Sequence, residues 1–517
     1  MYSDKENVNI LTALICAYGI RHCVVCPGSR NAPVVHNLSE CSTLKCHPVT
    51  DERSAGFYAL GMAQHLRQPV VVCVTSGSAL LNLAPAVVEA YYQQLPLIVV
   101  STDRPAQWIG QQDGQTMPQP DALGHFVRLA VSLPEPNDEE QRWFCNRLVN
   151  QALMAARLGP VHINVPISEP LFQFTVKSLV PQRVIESHPS QMSADTVELI
   201  TQRFMQARRP LLICGQPLNN GLDELACLIE DQEELIPDFI LYTGGCIVSK
   251  RAKRLFRKAA ETWVVNATGE VVDTFMNLTG VLQGDGEAVV KAINSQLSIT
   301  AHPFVNRWKQ MLLDIRRQAE DYQPQYSQMA VVKYLESQLD CCREPVSAIH
   351  YANSSSVRLA NIYAHHPICC NRGVNGIEGS VSTAAGCSLV AERRVICVTG
   401  DLSFFYDQNA LWNTELKGNL RILLLNNGGG GIFTQLAGLE KSPVRNRLIA
   451  GCHTTSAEGI CSQNGVAYRS VADMDAMQTG VNWLIHQTSE RPMLLEVFTH
   501  AEQDAETVRD YYRQLHL

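Results

Sequence analysis

The sequence predicts an α/β protein made of three doubly wound domains with mainly parallel sheets. Short apolar runs recur along the chain, and each breaks into glycine, proline, serine or aspartate, as in "PVVVCVTSG" and "RVICVTGD". Such runs are typical of parallel strands that are buried on both faces and connected by helices. The chain has 517 residues, and single hydrophobic cores stop growing near ~250–300 residues, so more than one core is expected.

The strand-like runs fall into three groups, which set the predicted domain boundaries. The first domain (1–175) contains "HCVVCPGSR", "PVVVCVTSG", "LPLIVVSTDRP" and "PVHINVP". The central domain (176–328) contains "PLLICGQ", "FILYTGG" and "TWVVNAT". The third domain (329–517) contains "PVSAIHYANS", "RVICVTGD", "RILLLNNGG" and "MLLEVF". Between the second and third of these last runs, "QNALWNTELKGN" has the length of one crossover helix.

Composition and charge disfavour several classes of protein. The net charge of -8 argues against a nucleic-acid partner, since binding phosphates requires a basic face. No apolar run reaches the ~20 residues of a membrane span, and the first residues lack the pattern of a signal peptide. We therefore expect no membrane insertion and a cytoplasmic location. The 18 cysteines lie mostly in apolar segments, which favours free thiols over disulfides or zinc ligands.

Polar residues at the ends of two neighbouring strand-like runs predict a cation site. Asp401 follows "VICVTG", and Asn427 follows "RILLLN" 26 residues later. Successive strands of a strand–helix–strand unit end side by side, so these two side chains can converge. Carboxylate, amide and main-chain oxygens suit Mg²⁺, and the glycines at 428–431 would let the backbone approach a diphosphate. The alternative is an aspartate that caps a helix, followed by an Asn-Gly turn.

The sequence resembles the thiamine diphosphate enzymes. The resemblance rests on "GDLS" followed by "NN" and on the order of a pyrimidine-binding, a central and a diphosphate-binding domain. These enzymes also need a glutamate in the first domain, and "HPVTDERSAGFYALGMA" offers Glu52 at a strand-to-helix junction. The resemblance implies that Glu52 protonates the aminopyrimidine ring, so that the imino form can remove the thiazolium C2 proton. A charged first helical turn is the alternative interpretation of Glu52.

The same resemblance assigns the residues that hold the cofactor and its metal. The implied ligands of Mg²⁺, or of Mn²⁺ in its place, are Asp401, Asn427 and the main-chain carbonyl of Gly429. Ser403 lies in the same motif and is expected to contact the cofactor. Ile377 in "GIEG" matches the apolar wedge beneath the bent cofactor, and the alternative is an isoleucine of the core.

Seven longer motifs are similar to one branch, the 2-succinyl-5-enolpyruvyl-6-hydroxy-3-cyclohexene-1-carboxylate synthases of menaquinone biosynthesis, or MenD family. They are "CPGSRNAP", "TDERSAGFYALG", "VTSGSALLNL", "STDRP", "ANSSSVR", "NRGVNGIEGSVSTAAG" and "GDLSFFYDQNAL". The leucine after Asp401, where many thiamine diphosphate enzymes have glycine, agrees with this branch. The resemblance implies decarboxylation of 2-oxoglutarate and 1,4-addition of the succinyl-semialdehyde carbanion to isochorismate.

Two dicarboxylate substrates predict several arginines aimed at one pocket, because guanidinium binds carboxylate bidentately and stays charged. Motif matching places Arg372 and Ser354 beside the 2-oxoglutarate-derived chain. It places six residues on the isochorismate side: Ser29, Arg30, Arg104, Gln115, Lys250 and Arg358. Ile432 and Phe433 would form an apolar wall near the reacting carbon. The alternatives are solvated surface arginines and, for the last two residues, plain packing.

In the family, the equivalents of Glu52 and Asp401 come from different subunits. The resemblance therefore implies a homodimer with two interfacial sites, or a homotetramer. The alternatives for function are another thiamine diphosphate-dependent decarboxylase or carboligase, of the acetolactate-synthase type, and a non-catalytic homologue. Retention of Glu52, Asp401 and Asn427 argues against the non-catalytic homologue.

Overall fold

The computed structural model describes residues 1–186, 193–215, 221–296, 302–342, 345–436 and 438–516, and these contain three separate sheets. The strands of the first sheet are β1 (His22–Val25), β2 (Lys45–Pro48), β3 (Val70–Val74), β4 (Leu97–Asp103), β5 (Leu129–Ser132) and β6 (Val161–Pro166). Their order is β2-β1-β3-β4-β6-β5, and every pair is parallel.

The other two sheets are also wholly parallel. The second, in the order β10-β9-β8-β7, contains β7 (Pro210–Cys214), β8 (Phe239–Thr243), β9 (Glu261–Asn266) and β10 (Leu278–Gln283). The third, in the order β11-β12-β13-β15-β14, contains β11 (Ala348–Tyr351), β12 (Val395–Gly400), β13 (Leu420–Asn426), β14 (Ala467–Val471) and β15 (Met493–Phe498).

Helices connect the strands of each sheet. In the first part of the chain they are α1 (Glu6–Ala17), α2 (Ala32–Glu40), α3 (Glu52–Leu66), α4 (Ser78–Asn82), α5 (Ala84–Gln93) and α6 (Glu139–Ala155). The middle part has α7 (Ala194–Gln206), α8 (Leu222–Leu228), α9 (Lys250–Phe256), α10 (Gly286–Gln296) and α11 (Pro303–Asp321). The last part has α12 (Gln328–Asp340), α13 (Ser355–Tyr363), α14 (Ser380–Val390), α15 (Asp401–Tyr406), α16 (Glu458–Gln463), α17 (Met474–His486) and α18 (Ala501–Gln514).

This architecture confirms the predicted fold class, a mixed α/β fold with several parallel sheets. The apolar runs quoted above form strands. Strand β2 was implied only by the strand-to-helix junction before Glu52, and β5, β10 and β14 were not predicted. All three are edge strands with partly exposed residues, so they lack the continuous apolar run of a strand buried on both faces. The domain boundaries near residues 175 and 328 fall between strands of successive sheets and stay a prediction.

The crossover helix predicted between β12 and β13 is wrong. The connection begins with α15, which starts at Asp401 itself, and continues with a single 3₁₀ turn, Gln408–Leu411. Between them lies Asp407, whose buried carboxylate accepts hydrogen bonds from the backbone N–H and the hydroxyl of Ser382, both at 2.7 Å. These bonds draw the chain toward the start of α14 and end the α-helix there.

Close packing of α3 on α14 joins the first and third sheets. Both helices contribute to one apolar cluster. A Cβ on Gly61 would lie 1.9 Å from the carbonyl oxygen of Thr383, and a Cβ on Gly386 would lie 2.2 Å from that of Tyr58. Only glycine therefore allows the two backbones to approach so closely. The contact fixes the helix that starts at Glu52 against the third sheet.

Two further expectations concern cysteines and the membrane. All 18 cysteines are free, and most of them are buried or half-buried. In the part of the chain that the structure describes, no helix combines the length and the apolar character that crossing a bilayer requires.

Candidate active site

Asp401 lies at the carboxyl end of β12, directly beside the loop that follows β13. Strands β12 and β13 pair in register, with Gly400 opposite Leu425. The Asp401 side chain is buried, and its Oδ2 accepts backbone N–H hydrogen bonds from Asn427 (3.2 Å), Gly428 (2.9 Å) and Gly429 (2.9 Å). The structure therefore brings the backbone of Asn427 to the Asp401 carboxylate, and convergence of the two side chains on one cation stays a prediction.

The Asp401 carboxylate is surrounded by donors. Its Oδ1 accepts the N–H of Leu402 at 2.7 Å, and Nε2 of His453 lies 3.5 Å from Oδ2. Burial raises the pKa of Asp401 from its ordinary value, while the backbone donors and His453 oppose that rise. A divalent cation at this position would offset the cost of burying the charge.

The side chain of Asn427 is oriented by a residue from the end of the chain. Its Nδ2 donates to Oδ2 of Asp504 at 3.0 Å, and Asp504 also accepts from the backbone of Gln328 and the hydroxyl of Thr499, each at 2.8 Å. Within the described residues, Oδ1 of Asn427 receives no hydrogen bond, so the amide oxygen remains available as a ligand. The sequence reasoning missed Asp504, although it follows the strand-like run "MLLEVF", whose end adjoins that of β13.

The glycine run after Asn427 is packed too tightly for side chains. Gly428 and Gly429 have φ of +79° and +149°, which L residues rarely adopt. A Cβ on Gly429 would lie 3.0 Å from the carbonyl oxygen of Ala450 and 3.1 Å from Cα of Cys452. The backbone can therefore approach a ligand closely, as the binding of a diphosphate requires.

The donors gathered here fit a magnesium diphosphate. One carboxylate, one amide oxygen and main-chain carbonyls form an all-oxygen set, which a hard cation prefers. Over the described ranges no group of three or more histidine, cysteine, aspartate or glutamate side chains could hold a metal. A set with a single carboxylate leaves room for the water and phosphate oxygens that Mg²⁺ usually keeps.

Glu52 is the first residue of α3, at the carboxyl end of the first sheet. Its Oε2 accepts a hydrogen bond from Nδ2 of Asn82 at 3.3 Å. The preceding Asp51 caps α3 by accepting the N–H of Arg53 at 2.9 Å, and its other oxygen accepts from Asn409 at 2.8 Å. Glu52 thus belongs to a charged first helical turn, but this turn also contacts the segment after α15.

Ile377, in the loop before α14, and Ser403, in α15, are in contact. The hydroxyl of Ser403 donates to the carbonyl oxygen of Ile377. Ser403 is buried, whereas the side chain of Ile377 is 43% exposed. Such exposure rules out the alternative that Ile377 is an ordinary core residue in this chain.

Arg372 and Ser354 are brought together by one asparagine. Arg372 donates to Oδ1 of Asn353 at 2.9 Å, and Ser354 follows Asn353 in the chain with φ of +74°. The amide nitrogen of Asn353 binds the carbonyl oxygens of Asn371 and Gly376 at 2.6 and 2.7 Å. The buried Nε of Arg372 has no hydrogen-bond partner in the described parts of the chain. The Nε–H of this guanidinium therefore has unused capacity to donate a hydrogen bond.

The residues predicted to contact isochorismate fall into two places. Four follow strand ends of the first sheet or its loops: Ser29, Arg30, Arg104 and Gln115. Arg30 binds the carbonyl oxygen of Ile167 (3.0 Å) and pairs with Glu169 (3.2 Å). Arg104 pairs with Asp113. Ser29 and Gln115 are exposed, and the backbone of Gln115 lies against Gly77.

The other two, Lys250 and Arg358, line a cavity of about 630 Å³ between α9 and α13. Asn427 and Gly431 form part of the same wall, so this cavity adjoins the candidate metal site. Ile432 and Phe433, in the turn Gly431–Gln435, are half-buried. The ring of Phe433 packs on Gly430, where a Cβ would lie 2.6 Å from Cδ2.

Comparison with known proteins identifies the family. Residues 7–124 match a family model described as "Thiamine pyrophosphate enzyme, N-terminal TPP binding domain". A Bacteroides thetaiotaomicron protein named 2-succinyl-5-enolpyruvyl-6-hydroxy-3-cyclohexene-1-carboxylate synthase is 41% identical over 561 residues, with 100% of both chains covered. The chain belongs to this synthase family. A synthase of the same name from Desulfotalea psychrophila is 34% identical over 542 residues, covering 96% of this chain and 98% of its own.

The chain also shares its fold with a more distantly related solved structure. The crystal structure of benzoylformate decarboxylase from Polynucleobacter necessarius matches with a TM-score of 0.71 at 17% identity, covering 97% of this chain and 99% of its own. At that identity the likeness shows the fold alone. Membership in the synthase family confirms the resemblance seen in the sequence. The chain is an enzyme, and the matched domain indicates thiamine diphosphate as its cofactor.

Proposed function

We propose that the protein decarboxylates 2-oxoglutarate and adds the four-carbon succinyl-semialdehyde unit to isochorismate in a 1,4 fashion. The product would be 2-succinyl-5-enolpyruvyl-6-hydroxy-3-cyclohexene-1-carboxylate, an intermediate of menaquinone biosynthesis. The observation that carries the proposal is the cavity in which Lys250 and Arg358 adjoin Asn427. Neither cation has an ion-pair partner within the described ranges, so both can receive carboxylates beside the cofactor site.

Thiamine diphosphate, when bound, supplies an electron sink for the loss of carbon dioxide from a 2-oxo acid. Asp401, the amide oxygen of Asn427 and the carbonyl of Gly429 would hold Mg²⁺, or Mn²⁺, against the diphosphate. Ser403 would fix the main chain at Ile377, whose exposed side chain would support the ring system. The fit of the glycine run and the all-oxygen donor set support these assignments.

Glu52 would exchange a proton with a ring nitrogen of the cofactor. Because Asn82 already donates to Oε2, the other carboxylate oxygen, Oε1, is the atom that remains for this contact. A carboxyl group placed at a fixed position can hold or release the proton without losing its alignment.

The substrates would be held by their carboxylates. Arg372 and Ser354 would bind the 2-oxoglutarate-derived chain, since the buried Nε of Arg372 lacks a partner in the described structure. The isochorismate side would be formed by Ser29, Arg30, Arg104, Gln115, Lys250 and Arg358. Ile432 and Phe433, after the glycine run, would form an apolar wall that excludes water near the reacting carbon.

The proposed assembly is a homodimer, or a homotetramer built from such dimers, with each site between two subunits. Three large side chains next to the site residues are strongly exposed in the single chain: Leu81 (45%), Ile377 (43%) and Tyr406 (52%). Leu81 precedes the partner of Glu52, and the carbonyl of Tyr406 accepts from Arg53. A second copy covering this apolar area would complete the site. The three domains and the cytoplasmic location expected from the sequence remain part of this proposal.

A single incubation tests the activity. The protein is mixed with thiamine diphosphate, Mg²⁺, 2-oxoglutarate and isochorismate, and the loss of isochorismate absorbance is followed. We expect consumption that depends on all four components. If isochorismate is not consumed and pyruvate is accepted in place of 2-oxoglutarate, the acetolactate-synthase-type alternative is correct instead.

A further inference from the structure

His453, which the sequence analysis did not single out, lies against the candidate metal site. Its Nε2 is 3.5 Å from Oδ2 of Asp401. This atom is shielded from solvent and has no hydrogen-bond partner among the residues that the structure describes. The separation exceeds the usual 2.7–3.2 Å of an N–H···O bond, roughly by a few tenths of an ångström. A small movement of the Asp401 carboxylate would bring Oδ2 within hydrogen-bond distance of Nε2.

The other ring nitrogen fixes the position of the proton. The backbone N–H of Thr455 donates to Nδ1 of His453 at 3.0 Å. Because Nδ1 acts as an acceptor, the proton of the neutral imidazole must lie on Nε2. The nitrogen that faces Asp401 is therefore an N–H donor.

The ring is held from two further sides. The His453 ring meets the ring of Phe405 edge-on, with the centroids 5.3 Å apart and the planes at 87°. The backbone N–H of His453 donates to the carbonyl oxygen of Gly428 at 2.9 Å. His453 is thus attached both to α15, which starts at Asp401, and to the glycine run.

We propose that His453 is a positioning residue of the metal–diphosphate site, acting through the carboxylate of Asp401. After a small movement of the carboxylate, its Nε2–H would donate to Oδ2, which already accepts three backbone N–H groups. Oδ1, with a single N–H donor, would keep free capacity for the cation. Residues that orient a metal ligand typically change metal affinity by ~10–100-fold when they are replaced. This inference rests on the proposed function, because it assumes that Asp401 binds the metal.

Two substitutions separate this contact from a merely structural role. His453→Asn retains an oxygen that can accept from Thr455 but cannot reach Asp401. His453→Gln places an amide N–H near the position of Nε2. Mn²⁺ is titrated into each variant with thiamine diphosphate present, and free Mn²⁺ is measured by electron paramagnetic resonance. We expect the Mn²⁺ Kd to rise about tenfold or more in H453N. In H453Q it should stay within about threefold of the Kd of the unsubstituted protein.

The unfolding temperature of each variant, measured without metal and cofactor, reports folding separately from Mn²⁺ binding. If H453N does not fold, His453→Phe replaces it, since phenylalanine retains the contact with Phe405 and lacks both nitrogens. Equal losses in the two variants, or unchanged affinity in H453N, would overturn the inference. Asp401→Ala is measured in parallel. Unchanged Mn²⁺ affinity in D401A would refute the proposed metal site itself, whereas loss in D401A without loss in H453N refutes the role of His453 alone.

Discussion

Asp504 orients Asn427 through a hydrogen bond of 3.0 Å between Oδ2 and Nδ2. The two residues lie on different elements, α18 and the loop after β13, which meet because β13 and β15 are neighbouring strands. Without this carboxylate the amide could rotate and present its nitrogen to the cation. Asp504 is therefore as much a part of the candidate site as the residue that it orients.

Replacement of Asp504 by alanine tests this orientation. We expect Asp504→Ala to weaken Mg²⁺-dependent binding of thiamine diphosphate by ~10–100-fold, because the ligand amide loses its fixed orientation. The measurement is a cofactor titration followed by protein fluorescence at fixed Mg²⁺. Glu502→Ala, on the same helix and with a side chain that is 77% exposed, is the control and should bind normally. Normal affinity in D504A would contradict the assigned role.

Glu52→Gln should separate cofactor binding from turnover. The amide retains the shape of the side chain but cannot exchange a proton, so we expect a fall in kcat of at least ~100-fold with thiamine diphosphate affinity little changed. The matched control is Glu139→Gln, since Glu139 also starts a helix directly after a capping aspartate. Steady-state kinetics and cofactor titration measure the two effects. Near-normal turnover in E52Q would show that Glu52 is only a helix-end residue.

Asp113 competes with isochorismate for the guanidinium group that is proposed to bind this substrate. Arg104 pairs with Asp113 in this structure, and a partly exposed pair of this kind is worth ~0.2–1 kcal/mol. Removing the competing carboxylate in Asp113→Asn should therefore lower the KM for isochorismate by up to about fivefold at unchanged kcat. Asp121→Asn, on the same loop, should leave KM unchanged. A higher KM in D113N would mean that the pair instead supports the binding loop.

Asp407 should make stability depend on pH. Burial raises the pKa of this carboxyl group to about 6 from 3.8, with the bonds from Ser382 opposing the rise. Between these two values the folded protein holds a proton that the unfolded chain has released. Stability is therefore greatest below pH 4 for this group and falls as the pH rises to 6, by about 3 kcal/mol.

Urea unfolding at a series of pH values measures this dependence. The free energy of unfolding of the original protein should fall more steeply between pH 4 and 6 than that of Asp407→Asn, which has no proton to release. The difference in slope, rather than absolute stability, is decisive, because asparagine also loses a hydrogen bond with Ser382. Parallel slopes would place the pKa of Asp407 near its ordinary value.

Strands with continuous apolar runs were predictable from the sequence, including the edge strands β7 and β11. The edge strands β5, β10 and β14, which lack such runs, were not predicted. A central strand such as β3 is apolar throughout because helices cover both faces of the sheet. The edge strand β14 has no fully buried residue, so its composition resembles that of a loop. The connection after Asp401 was predicted incorrectly for another reason. The connection has the length of a crossover helix. The hydrogen bonds from Ser382 to Asp407 that end α15 join segments that are distant in the chain, so local sequence does not reveal them.

In the candidate site, too, some residues could be placed from local sequence, whereas others are placed only by tertiary packing. Asp401 and Asn427 were predictable as neighbours because both follow strands that are consecutive in the chain. Asp504 and His453 reach the site because α18 and the loop at 450–455 pack against it. Local sequence does not predict that packing. The ion pairs of Arg30 and Arg104 with Glu169 and Asp113 were unpredictable for the same reason.

The glycine contacts between α3 and α14 leave the two helices no room to slide independently. In the proposed dimer, α3 starts at the proposed acid–base residue of one site, whereas α14 leads into the strand that precedes the proposed metal ligand of the other. Each subunit would then move as one rigid unit that contributes residues to both sites. We expect cofactor binding at the first site to change the cofactor affinity of the second, so that the two sites of the dimer bind with unequal affinity.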